Sequence, residues 1–130
     1  MTRDFDGVSV GEELPELRRI VTAEDVEAYA DVGDDRNLLH LDDAIAHGMF
    51  TMGHLTACVV AWAGDPAAIT AISAQFRATV SMGQEIVAGG RVRALDTTMR
   101  TATLELWVTS ERDGALEWPI KRGQATVRLP

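Results

Sequence analysis

The chain has 130 residues, 46% of them apolar and 25% charged, with a formal net charge of −8 and a single cysteine. That is enough apolar material for one domain with a real core and too much for a disordered chain, and the acidic balance argues against a nucleic-acid partner, which needs a basic face. One cysteine, Cys58, excludes an intramolecular disulfide and fits a reducing, cytoplasmic compartment; the acidic start Met1–Asp6 and the lack of a long uncharged apolar run argue against a secretory leader and a membrane span.

Residues 1–12 read as an extended lead-in, with Val8-Ser9-Val10 touching a sheet edge. Glu12 to Val21 alternates well enough for a first strand, with Leu14, Leu17 and Ile20 as its apolar members. Thr22 is a good N-cap, and Glu24 and Asp25 follow in the first turn, where the helix dipole favours acids. Val26, Tyr29 and Ala30 then share one face, and Gly33 closes this helix. The stretch 34–47 is irregular. From Gly48 to about Ala63 the chain is apolar nearly all round, which predicts a buried central helix stopped by Gly64-Asp65-Pro66. Cys58, among Thr56, Ala57, Val59 and Val60, belongs to its core side.

The period then changes. Ile69 to Val80, Gln84 to Leu95, Arg100 to Ser110 and Leu116 to Leu129 are rich in β-branched residues and partly alternate, as strands do. Gly89-Gly90 marks a bulge or bend in the second of them, and Asp96-Thr97-Thr98 and Arg112-Asp113-Gly114 are hairpin turns. A helix that is apolar all round needs a sheet curled about it. The outline is therefore α+β: an antiparallel sheet around one long helix, in a single domain over residues 1–130.

The chemistry concentrates between Asp35 and Met52. An acid and a histidine five residues apart, Asp35 and His40, stand on the irregular stretch, and a His47-Gly48 step opens the central helix. A carboxylate, an imidazole and a helix N-terminus are the parts needed to move a proton beside a thioester carbonyl and to hold the oxyanion that results. His40 suits the base, because an imidazole titrates near neutral pH. Asp35 suits the acid, because a partly desolvated carboxyl can keep its proton or hold a water. Gly48 lets an oxygen approach the unpaired N–H groups of the helix start. Asn37 supports the loop. Met49, Phe50 and Met52 are candidates for the pocket wall. His47 and His54, seven apart on one helix, have no metal-ligand spacing with Asp35 or Asp42, so no metal is expected. An anionic substrate carrier would need a local basic patch, for which Arg77, Arg91, Arg93, Lys121 and Arg122 are the candidates.

These residues resemble a known family. The outline is similar to the hot-dog fold. The motif resembles the MaoC-like branch, the (R)-specific enoyl-thioester hydratases and 3-hydroxyacyl-thioester dehydratases, whose signature runs Gly-Asp-x-Asn-Pro-Leu-His, then an apolar residue and Asp, and later Ala-His-Gly-Met. The matching residues are Asp35, Asn37, Leu39, His40, Leu41, Asp42, Ala46, His47, Gly48 and Met49, continued by Thr51-Met52-Gly53. Gly64-Asp65-Pro66, Ile69 and Phe76-Arg77 look like the mycobacterial-type dehydratase subunits. Asp35 rather than Asp34 is the acid because Asn37 and His40 then fall in register with the motif. Asp34 stands where the family has Gly and Leu38 where it has Pro, and both change what the loop backbone is free to do. A family stretch of roughly ten residues ahead of Ala46-His47-Gly48-Met49 is missing, which implies a more open pocket.

The resemblance implies reversible interconversion of (R)-3-hydroxyacyl and trans-2-enoyl thioesters, with no cofactor, on an acyl carrier protein or coenzyme A. It implies fatty-acid or polyketide assembly as the setting. It also implies a homodimer, or a heterodimer with another hot-dog chain, with two sheets side by side. The rivals are a non-catalytic tunnel-shaping subunit, for which the short 42–47 segment argues, and a hot-dog thioesterase, which would place a carboxylate on the central helix where 48–63 has none. Isomerisation or cyclisation of an unsaturated chain would use the same base and oxyanion site.

Overall fold

The computed structural model describes residues 2–22, 45–46, 48–78, 80–81 and 83–130. In chain order they form β1 (Glu13–Ile20), β2 (Ile45–Ala46), α1 (Gly48–Ala63), β3 (Ile69–Ser73), β4 (Val80–Ser81), β5 (Glu85–Asp96), β6 (Thr101–Arg112) and β7 (Ala115–Arg128). Five strands make one antiparallel sheet in the order β1-β5-β6-β7-β3, and β2 pairs with β4 in a separate two-stranded ladder. The helix expected from Thr22 to Gly33 lies, beyond Thr22 itself, outside the described residues. No helix among the described residues is long and apolar enough to cross a membrane.

The sheet follows from alternation. Along β6, Ala102, Leu104, Leu106 and Val108 are buried, while Thr101, Thr103, Glu105, Trp107 and Thr109 point the other way. α1 packs against β1, β5, β6 and β3, and places Leu55, Cys58, Val59, Trp62 and Ala63 in the same core. Each fully buried Leu or Val there stabilises the fold by about 1.5–3 kcal/mol relative to an exposed one. Gly64, at φ 87°, ends the helix, with its N–H bonded to Val60 O at 2.8 Å. The N-terminal strap caps the same end, since Arg3 N donates to Ala63 O at 2.8 Å.

The hairpin turns form where Asp and Gly predict them. Asp96 Oδ1 accepts from Thr98 N and Met99 N, both at 3.0 Å, and the turn runs on through Arg100 at φ 55°. Asp113 and Gly114, at φ 53° and 81°, are the two left-handed residues that a tight β-hairpin requires.

Several expectations need correction. The lead-in is not simply extended, because Phe5–Gly7 is a 3-10 turn that buries Phe5, with Val8 buried behind it. Contact with the sheet edge comes just after Val10, where Gly11 N donates to Val92 O and Val92 N to Glu12 O. Ile20 does not face the core and is 59% exposed. Its strand carries a bulge between Leu14 and Leu17, which keeps both of those leucines inward and sends Ile20, three residues on, outward. The strand expected from Ile69 to Val80 is broken into β3, an isolated bridge from Phe76 to Ile120, and β4. Ile45 and Ala46, expected in irregular chain, pair with Ser81 and Val80.

Gly89 and Gly90 do not form the bulge in β5. They pair regularly with Trp107 and Leu106, and the bulge in β5 falls at Arg93. The glycines are needed for room, since a Cβ on Gly89 would lie 2.7 Å from the Trp107 ring nitrogen and one on Gly90 2.7 Å from Glu105 O. Nor is α1 buried all round. Gly53, Ala57 and Ala61 form an exposed line along it, and they read as apolar in the sequence while exposing little carbon.

Candidate functional site

The site begins where the chain enters α1. The β2–β4 ladder fixes Ile45 and Ala46, and Gly48 is the first residue of a sixteen-residue helix. The first N–H groups of any α-helix have no intrahelical partner and carry the positive end of its dipole. The helix is held from its other side. Leu55 and Val59 are fully buried in the core, and His54 is 8% exposed with Nε2 2.8 Å from Leu17 O on β1. Met52 is half-buried against the core, while Met49 and Phe50 occupy the first turn. Asp35, Asn37 and His40, and with them His47, lie outside the described residues.

Two flagged groups on the helix prove structural in their contacts. Burial holds the His54 imidazole below its ordinary value, with the Leu17 hydrogen bond pulling the other way and Arg19 adding a smaller downward push. His54 is therefore spoken for by β1 rather than turned toward a ligand. Cys58 is 1% exposed, with Sγ 3.5 Å from Pro15 O. Burial, and then the charge of Glu16, push its thiol up to about 11, so it is no nucleophile at neutral pH.

The basic candidates divide. Arg77 is engaged apart from the others, its backbone N–H on Pro119 O and its guanidinium on Gln75 Oε1 at 3.0 Å. Arg91, Arg93 and Arg122 come together on the face of the sheet turned away from α1. There Arg91 Nε holds Glu105 Oε2 at 3.0 Å, and Arg93 and Arg122 flank a groove of about 340 Å³ floored by Glu105, Gly123 and Gln124. A second outward cleft, about 370 Å³, lies where Arg18 bridges Glu16 and Glu85 beside Val87 and Leu116, and contains none of the flagged residues. This second cleft is not legible in the sequence, because its lining is spread over four strands.

Comparison with known proteins adds the following. Residues 8–109 match the family described as MaoC like domain. A solved MaoC-like dehydratase is 32% identical with a TM-score of 0.88, over 99% of this chain and 43% of that one, so the chain spans under half the length of that protein. The (R)-hydratase from A. caviae involved in PHA biosynthesis is 28% identical, with a TM-score of 0.81 over 95% of this chain and 98% of that one. The R-hydratase PhaJ1 from Pseudomonas aeruginosa, 21% identical with a TM-score of 0.85 over 99% and 86% of the two chains, shares the fold. No curated protein matches.

Proposed function

Because the chain belongs to the family of MaoC-like domains, we propose that it interconverts (R)-3-hydroxyacyl and trans-2-enoyl thioesters by acid–base catalysis. Its hot-dog fold, five antiparallel strands against one long helix, is that of solved hydratases. The observation that carries the reading is Gly48 as the first residue of α1, two positions along the chain from Ala46 of the paired Ile45–Ala46. A thioester oxygen laid against that helix start would meet unpaired N–H groups, and the absence of a side chain on Gly48 lets it come close.

In this reading His40 removes the C2 proton and Asp35 delivers a proton to the departing C3 hydroxyl. In the hydration direction the two groups hold the attacking water between them. Asn37 steadies their loop, and Met49, Phe50 and Met52 wall the acyl chain. The reaction needs only proton transfer, so no cofactor is called for. The preferred direction is dehydration on an acyl carrier protein in fatty-acid or polyketide assembly, with coenzyme A esters as the other carrier. The partner is a second hot-dog chain, identical or not, placed side by side so that the sheets join. Edge strand β3, which pairs on one flank only among the described residues, supports that arrangement.

The test is hydration of crotonyl-CoA, followed by loss of enoyl-thioester absorbance, in the wild type beside Asp35→Asn and His40→Ala. The wild type is expected to turn over, and each variant to lose roughly 10²–10⁴-fold in kcat/KM. A wild type inert on crotonyl-CoA and on a longer carrier-bound substrate would replace this reading with that of a tunnel-shaping subunit. Thiol release without loss of the double bond would replace it with a thioesterase.

A further inference from the structure

The outward face of the sheet carries a feature that proton transfer at a thioester does not use. Two irregularities in the strands bring basic residues to one place. In β5, Val92 pairs with Leu104 and Ala94 with Thr103, so Arg93 is an extra residue with no partner on β6. In β7, Gly123 pairs with Leu106 and Ile120 with Val108, so Lys121 and Arg122 both stand opposite the single residue Trp107. Ile120 and Gly123 are buried on the helix side, and Lys121 and Arg122 between them are both exposed. Bulges re-aim side chains at the expense of regular pairing, and here two of them, on different strands, serve the same groove.

Among the described residues the charges there are not balanced. Glu105, the carboxylate in the groove, is taken by Arg91. Among the described residues no hydrogen bond or ion pair engages Arg93, Lys121 or Arg122. Two arginines without a partner among the described residues thus flank one groove of about 340 Å³, with Lys121 exposed next to Arg122, in a chain whose formal net charge is −8. Like charges held together repel, and an anion placed between them relieves that repulsion. Guanidinium forks match phosphate oxygens in geometry and bind them as donor pairs, and the Gln124 amide adds a neutral donor on the same floor.

We propose that the groove between Arg93 and Arg122 is a binding site for a phosphate-bearing ligand of two or more negative charges. The inference stands apart from the hydro-lyase reading and does not need Asp35 or His40. Two sources offer this chemistry: a free polyphosphate anion, and the phosphates of a coenzyme A molecule.

Titration calorimetry of the full chain at low salt, with inorganic pyrophosphate and separately with coenzyme A, tests it. The proteins are the wild type, the double variant Arg93→Gln/Arg122→Gln and the control Arg128→Gln. Arg128 is exposed on β7 outside the groove, so it measures the effect of overall charge. The wild type is expected to bind pyrophosphate, the double variant at least roughly tenfold more weakly, and the control as the wild type does. All three substituted residues are exposed, and circular dichroism of each variant keeps a folding defect distinct from a lost site. Tighter binding of coenzyme A, lost in the same double variant, identifies the coenzyme as the source. Coenzyme A binding unaltered by the double variant, with pyrophosphate lost, identifies the free anion. A wild type that binds neither probe, or a control that weakens binding as much as the double variant, overturns the site.

Discussion

At the scale of single residues, His54 has the most to say about solution behaviour. Its imidazole is lowered from an ordinary value of 6.5, first by burial. The unfolded chain therefore takes up a proton at a pH where the folded chain still refuses it. Its contribution to stability is whole above the unfolded value and erodes as pH falls through it. Urea midpoints measured from about pH 7.5 down to about pH 5.5 are expected to drop for the wild type. The drop should be shallower in His54→Gln, whose side chain can still reach Leu17 O but does not titrate. Parallel profiles for the two proteins would show that other groups set the acid limit. The role of Cys58 was legible in the sequence, because its neighbours are all small or apolar. The role of His54 was not, since a strand 37 residues earlier supplies its partner.

At the scale of elements, the helix and the meander were readable almost to the residue. Gly48 and Gly64 bracket α1, and the Asp and Gly turns separate β5, β6 and β7. What the sequence hid were the irregularities, because a bulge shows only when two strands are laid against each other. The extra residues at Pro15-Glu16, Arg93 and Lys121-Arg122 are invisible in either strand alone. Gly89-Gly90 misled for the same reason. The pair signals close approach, but not whether a bulge or a cross-strand side chain approaches. Its two members should respond differently. Gly90→Ala would drive a Cβ against backbone at Glu105 O, which cannot step aside, and is expected to lose about 1–3 kcal/mol. Gly89→Ala meets only the Trp107 indole, which lies on the outward face and can tilt, so it should lose less. Chemical denaturation of both variants checks the order, and a larger loss at Gly89 would contradict it.

At the scale of the whole molecule, the family signature in the sequence pointed to the fold that the sheet order and the comparisons bear out. The candidate site was legible as a motif, Asp35 to Gly48, while its geometry depends on residues that lie outside those described. The basic groove was half legible: the arginines were visible as a set, but only the register brings three of them together and leaves Arg77 out. The two ends of the chain also meet. Phe5 N donates to Pro130 O at 3.0 Å, Arg100 sits over the Phe5 ring 5.1 Å from its centre, and Arg3 lies 5.0 Å from the Trp62 ring centre while pairing with Glu12. That clasp has a kinetic consequence. The β5–β6 and β6–β7 hairpins close over short loops, whereas the clasp joins residues separated by nearly the full chain and must form against the largest loop entropy. It belongs on the native side of the folding barrier. Phe5→Ala should therefore hasten unfolding in stopped-flow chevrons while leaving the refolding limb nearly unmoved. A slowed refolding limb would mean that the ends find each other early. If the clasp does form last, the contacts between Phe5, Arg100 and Pro130 lengthen the lifetime of the folded state, far along the chain from the residues proposed to do the chemistry.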